Sequence, residues 1–234
     1  RNAMLALMAD KDNPGTLVEI PRMFTDEDFM KKRLRRVENP VVRNFWEKEW
    51  AQTTGSTRSD MLGYVVSKVG RFIENDMMRN IIGQPRSGFD LPKIMNNGKI
   101  FLANLSKGLT GEINSSLLGL ILVSKMQIAA MRRASIPKDQ RKDFYLYVDE
   151  FQNFATDSFI KILSEARKYK LNLIFAHQFV SQLTDEIKEA VFGNVGTMSV
   201  FRVGAEDAEF LENQFDPTFT QSDLINLPVG NYYT

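Results

Sequence analysis

The apolar and polar positions of the chain follow two rhythms. Between about residues 25 and 83 apolar side chains recur at helical spacing: Phe45, Trp46 and Trp50 within residues 40–52, then Leu62, Val65, Val66, Val69, Phe72 and Ile73 within residues 58–80. Spacings of three and four place such residues on one face of a helix, so this stretch is read as all-helical. Thr25 is the expected N-cap of its first helix, followed by Asp26, Glu27 and Asp28, whose carboxylates suit the positive end of the helix dipole. Trp46 and Trp50 lie one turn apart and are expected in the core. Residues 1–24 carry weaker signals: an apolar end to a helix at residues 5–8, a turn at Asn13-Pro14-Gly15 and a short apolar stretch at 16–20. No element is assigned to them.

From about residue 98 strand-length apolar runs alternate with helical ones. Strands are expected at 99–104, 144–148, 171–176 and 197–202, with a last run at Asn231-Tyr232-Tyr233. Helices are expected at 111–133, from a cap at Thr156 or Asp157 to about Tyr169, near 184–192 and at 205–213; a loop then runs through Asp216-Pro217. The first of these helices is apolar nearly all round, with Leu117, Leu118, Leu120, Ile121, Leu122, Val123, Met126 and Ile128, and should be buried. The second carries Phe159, Ile160, Ile162, Leu163 and Ala166 on one face. Strand, helix and strand within about 33 residues form a βαβ crossover, which makes its strands parallel. The expected fold is therefore α/β, a mostly parallel sheet covered by helices, with residues 1–24 unassigned, 25–97 an all-helical subdomain and 98–234 the α/β part.

Composition narrows this picture without redirecting it. At 234 residues and 43% hydrophobic content the chain can bury a full core. Thirty basic against twenty-nine acidic side chains leave a net charge of +1, so bulk charge draws it to neither nucleic acid nor membrane. The basic run Lys31, Lys32, Arg33, Arg35 and Arg36 invites a phosphate-binding interpretation, but acids at 26–28 and Glu38 favour a solvated helix face. The absence of cysteine and the single histidine, His177, exclude disulfides, thiol chemistry and Cys/His zinc sites. No stretch reaches the roughly 20 uninterrupted apolar residues of a membrane span; residues 117–131 come nearest and are broken by Ser124, Lys125 and Gln127. There is no signal-peptide pattern. With Arg1 first and Thr234 inside a strand-like run, the chain is expected to be an excised piece of a longer protein.

The candidate chemistry gathers at one expected sheet edge. The run Phe144-Tyr145-Leu146-Tyr147-Val148 reads as a strand buried on both faces, and it ends in Asp149 and Glu150. In open α/β sheets ligands bind beyond the carboxyl ends of the strands. An Asp there can hold magnesium, directly or through water, while a neighbouring Glu orients or deprotonates an attacking water. Strands also end in acidic turns that do no chemistry, so the rest of that edge decides. The parallel strand at 171–176 delivers His177 and Gln178 to the same side, where the Gln178 amide can reach a γ-phosphate or the water without titrating. Arg167 has two open readings: a favourable charge at a helix C-terminus, or an arginine projected into a neighbouring subunit's site to stabilise transition-state charge. Arg202 is a weaker candidate of the same kind.

Residues 144–154 (FYLYVDEFQNF), 164–170 (SEARKYK), 171–179 (LNLIFAHQF) and 193–204 (GNVGTMSVFRVG) resemble the C-terminal half of HerA/FtsK-like DNA-pumping ATPases, most of all the coupling proteins of conjugation and type IV secretion. Residues 98–108 (GKIFLANLSKG) and the helical region before them fit the same pattern. The resemblance implies a RecA-like P-loop NTPase core with an all-helical insertion. It further implies ATP and Mg²⁺ as cofactors, Asp149 on magnesium, Glu150 activating water, Gln178 sensing the γ-phosphate and Arg167 acting in trans. By the same resemblance the parent is a homohexameric ring that moves DNA, with secretion-machine proteins as further partners, on the cytoplasmic side of the cell membrane. One departure matters: no G-x-x-x-x-G-K-[ST] occurs in the chain, and neither residues 83–88 nor Gly98-Lys99 substitute for it. The expectation is that the loop and its strand lie outside this piece, which alone would bind ATP weakly or not at all and be inactive. Two other readings stand beside the motor: a non-catalytic assembly module of the same fold, and an ATPase that moves protein rather than DNA.

Overall fold

A computed structural model describes residues 1–155 and 157–234, and the backbone alone at Arg71, Asp157 and Ser158. The chain divides into two compact units, Arg1–Phe89 and Asp90–Thr234. The division falls before residue 98, so the short helix that opens the second unit belongs with the sheet.

The first unit contains α1 (Asn2–Met8), α2 (Ile20–Thr25), α3 (Glu27–Leu34), α4 (Pro40–Asn44), α5 (Gly55–Glu74) and α6 (Asp76–Ile82). Residues 1–24 are integral to it, because Ala3, Ala6, Leu7, Ile20 and Met23 share one core with Phe29, Leu34, Trp46 and Trp50. Trp46 and Trp50 are 1% and 3% exposed and each meets the Phe24 ring at 5.0 Å. The α3 cap differs from expectation. Asp26 occupies it, accepting from the Phe29 N–H at 2.9 Å, while Thr25 ends α2 and its hydroxyl donates to the Pro21 carbonyl. A charged acceptor outcompetes a hydroxyl there, and Arg22 also donates to Asp26 at 2.9 Å. Asn75 splits the single helical pattern of residues 58–80 by capping α6, its side chain accepting from the Met78 N–H at 2.9 Å. Val65 and Val69 of α5 pack on the core whereas Val66 is exposed. In the basic run Lys31 pairs with Glu27 at 2.6 Å on the surface, and Arg33 turns inward to Glu19 at 3.1 Å.

The second unit contains α7 (Leu91–Asn96), α8 (Lys107–Thr110), α9 (Glu112–Met131), β1 (Phe144–Val148), α10 (Asp157–Glu165), β2 (Leu171–Phe175), α11 (Asp185–Asn194), α12 (Ala205–Phe215) and α13 (Gln221–Ile225). The expected cap at Thr156 or Asp157 lies outside the described residues and side chains. β1 and β2 pair in parallel, from Phe144 opposite Leu171 to Val148 opposite Phe175. Because strand side chains alternate in direction, Phe144, Val148 and Leu171 point into a core with Met126 and Ala129 of α9 and Phe159 and Ile162 of α10.

The wider sheet expected from the sequence does not form among the described residues. Residues 99–104 are irregular: Phe101 and Leu105 pack on the core, but Ile100 and Leu102 are each 89% exposed. In place of a strand at 197–202, Val200 makes a single antiparallel bridge to Tyr233 and packs with Val180, Ala208, Leu211 and Leu224 in a separate small core. With helices on one face only, β1 is not buried on both sides, and Tyr145 and Tyr147 are exposed. The same shortage of cover acts on α9. Its buried positions are Ser115, Leu118, Gly119, Met126, Ala129 and Ala130, while Ile113, Ile128 and Met131 face solvent. Together with its continuation to Ser135 it is long and apolar enough, by length and composition only, to pass for a membrane span, a test that a core helix also passes; Ser124, Lys125 and Gln127 still interrupt it, as expected.

Candidate active site

The site lies beyond the carboxyl ends of β1 and β2. After Val148 the chain turns sharply: Glu150 adopts a left-handed conformation with φ of 51°, a conformation that costs a non-glycine residue on the order of 1–3 kcal/mol. Four hydrogen bonds hold it there. The Glu150 N–H donates to Asp149 Oδ1 at 3.0 Å, the Glu150 carbonyl accepts from Asn153 N–H at 3.0 Å and Asn153 Nδ2 at 3.1 Å, and the Phe151 N–H donates to the Ala176 carbonyl at 2.9 Å. Phe151, fully buried, stacks on Phe175 at the end of β2 at 4.8 Å and meets Phe159 at 4.6 Å. Behind the turn, Gly119 of α9 lies so close to the Phe154 ring that a side-chain methyl would overlap it.

This turn brings Glu150 and Gln178 together. Gln178 Nε2 donates to Glu150 Oε1, and Gln152 Nε2 donates to Glu150 Oε2 at 2.6 Å. Glu150 is half-buried, whereas Asp149 and Gln178 are exposed. The loop carrying Gln178 is anchored from α12: the buried Asp207 carboxylate accepts from the Val180 N–H at 3.1 Å and the Ser181 N–H at 3.2 Å. His177 is half-buried, and its Nδ1 has no partner among the described residues.

The other candidates lie elsewhere. Arg167 is exposed in the tight turn Ala166–Tyr169 that leads into β2, so it sits at the opposite end of the sheet. Five paired residues separate the two edges, about 17 Å at ~3.3 Å per residue. Its guanidinium makes no ion pair among the described residues. Arg202 is exposed beyond the Val200 bridge. Within one chain neither is brought to Glu150 by β1 and β2.

The residues fit magnesium bound together with phosphate better than a metal caged by protein. Among the described residues no group of three or more His, Asp or Glu side chains could hold a metal ion, while Mg²⁺ commonly uses one or two carboxylates plus phosphate oxygens. Asp149 offers such a carboxylate: exposed, with only Oδ1 engaged, by its own neighbour's N–H.

Gln152, Asp207 and Arg133 escape the sequence-based reading. Gln152 follows the acids by two positions, which could have flagged it; Asp207 looks like an ordinary first-turn helix acid; Arg133 looks like a charge at a helix C-terminus. Only their partners distinguish them.

Residues 143–213 match the family model described as the TraM recognition site of TraD and TraG. On that match the C-terminal region is like that of a conjugative coupling protein, and the matched span contains the acid turn, Arg167, Gln178, Arg202 and Asp207. Neither a curated protein nor a solved structure matches the chain.

Proposed function

We propose that this chain is part of an ATP-driven motor of the conjugative coupling-protein type, a homohexamer that hydrolyses ATP at subunit interfaces to move DNA. Its second unit would be the C-terminal part of a RecA-like core, with the first unit as the helical insertion. The observation that carries the reading is the contact of Gln178 with Glu150 across the carboxyl ends of two parallel strands, an acid and an amide meeting where such folds bind ligands.

In this reading Asp149 holds magnesium, and bound Mg²⁺ and ATP supply charge neutralisation and the leaving group. The Glu150 carboxylate takes a proton from the attacking water, and Gln178 orients that water. Arg167, exposed at the far edge and without an ion pair among the described residues, serves a neighbouring subunit. Because the sequence carries no phosphate loop, another segment must supply it. The test is ATP turnover by the full-length protein with and without DNA. Glu150→Gln should lower kcat by about 10²–10⁴-fold, and DNA should stimulate turnover by the wild type. Turnover that survives the substitution counts against the assignment; turnover indifferent to DNA favours protein cargo.

A second reading, recognition of a partner protein without turnover, is favoured by the description of the matching family. Binding of a TraM-type protein to a chain that never hydrolyses ATP would support it.

A further inference from the structure

The turn after β1 holds a polar side chain ill served by its own position. Gln152 lies half-buried in the tight turn Phe151–Asn153; its Nε2 donates to Glu150 Oε2 at 2.6 Å, and its Oε1 is buried without a partner among the described residues. An ionised carboxylate only accepts hydrogen bonds, so the amide must turn its nitrogen to Glu150 and leave its oxygen against protein. A buried acceptor without a donor is a cost to the fold. A methionine would fill much the same volume without that cost. The amide therefore does not stand there for stability, and what it gives is orientation.

The two oxygens of Glu150 are held in different ways. Oε2 is bonded from within the same short turn, whose backbone is closed by Asn153 N–H to the Glu150 carbonyl and Phe154 N–H to the Phe151 carbonyl, at 3.0 and 2.9 Å. Oε1 is bonded from another segment by Gln178, an exposed residue in the loop after β2. The local bond is persistent, and the bond between segments can be exchanged. Resting on the ATPase reading, we propose that Gln152 is the positioning residue of Glu150: it pins Oε2, so that Oε1 is the oxygen that exchanges the Gln178 amide for the attacking water and receives its proton.

The experiment measures kcat and KM with ATP, together with thermal unfolding in the absence of nucleotide, on the full-length protein. Gln152→Met should lower kcat by about 10–100-fold, the usual effect of losing a group that orients a working side chain. KM for ATP should stay within about twofold, since the lost interaction acts in the transition state, and the melting temperature should be unchanged or higher. Wild-type kcat in Gln152→Met, with Glu150→Gln inactive, overturns the role of Gln152 and leaves the ATPase reading standing. A lowered melting temperature with a matching loss of active protein also overturns it, making Gln152 a structural residue. If Gln152→Met fails to fold, Gln152→Glu tests the same contact: similar in size, it sets a second carboxyl against Glu150, which either repels it or ties up its oxygen in a shared proton, and should be at least as impaired, so that wild-type kcat there rejects the proposal. Turnover that survives Glu150→Gln defeats the ATPase reading itself, a distinct result.

Discussion

The two edges of the β1–β2 pair are built from opposite materials. At the edge where the strands begin, Arg133 is 1% exposed and binds main chain: it donates to the carbonyls of Lys142 at 2.5 Å, Tyr169 at 2.8 Å and Lys170 at 3.2 Å, and to Asn96 Oδ1 at 2.9 Å. Burial pushes its guanidinium below the ordinary value, and neighbouring Arg141 adds to the effect. At the edge where the strands end, the contacts run between side chains, Gln152 and Gln178 on Glu150, and are partly open to solvent. Main-chain bonds to a buried charge cannot be remade without unfolding the register. Amide-to-carboxylate bonds at an exposed edge can be exchanged for bonds to a ligand. One edge fixes the geometry and the other can use it.

Substitutions at the two edges should therefore separate stability from activity. The largest effect is expected at Arg133, where Arg133→Met empties a buried position of its charge and takes donors from the Lys142 and Tyr169 carbonyls and from Asn96 Oδ1, while the Lys170 carbonyl keeps the Phe144 N–H; it should cost about 3–5 kcal/mol, measured by urea unfolding. A loss below about 1 kcal/mol would mean that the clamp does not hold the strand starts. Next comes the packing that supports the acid turn: Gly119→Val drives a branched side chain into Phe154 and should cost about 3 kcal/mol by the same measurement. Asp207→Asn keeps one acceptor for two N–H donors and should cost about 1–2 kcal/mol. It should also speed amide hydrogen exchange at Val180 and Ser181, and unchanged exchange there would remove Asp207 as the anchor of the Gln178 loop. The smallest effect on stability is expected at the edge where the strands end. Glu150→Gly relieves the left-handed strain and loosens the unfolded chain, so thermal melting should place it within about 1 kcal/mol of wild type while it loses the assigned base. A large destabilisation would make Glu150 a structural residue.

The parts of this molecule legible in the sequence are those governed by local pattern. The helical character of the first unit, the core positions of Trp46 and Trp50, the runs that became β1 and β2 and the meeting of Glu150 with Gln178 all follow from spacing and from the short connection through α10. Misreadings arose where a pattern needed a distant partner. Residues 99–104 and 197–202 have the composition of strands, but a strand exists only when a neighbour completes its hydrogen bonds. The apolar circumference of α9 describes what the helix could bury, not what is available to cover it. Thr25 and Asp26 are both good caps, and the choice fell to the one whose charge also meets Arg22.

The order of acids, helix and amide along the chain by itself determined that one parallel pair would carry an acid turn and a glutamine to the same edge, because a single crossover leaves two such strands no other direction. The tertiary structure alone decided the rest: that Glu150 is bonded on both oxygens, that Gln152 gives up its own oxygen to do so, and that a buried arginine ties down the opposite edge. Those outcomes depend on which donors and acceptors burial leaves unpaired, and that is known only once segments far apart in sequence have packed.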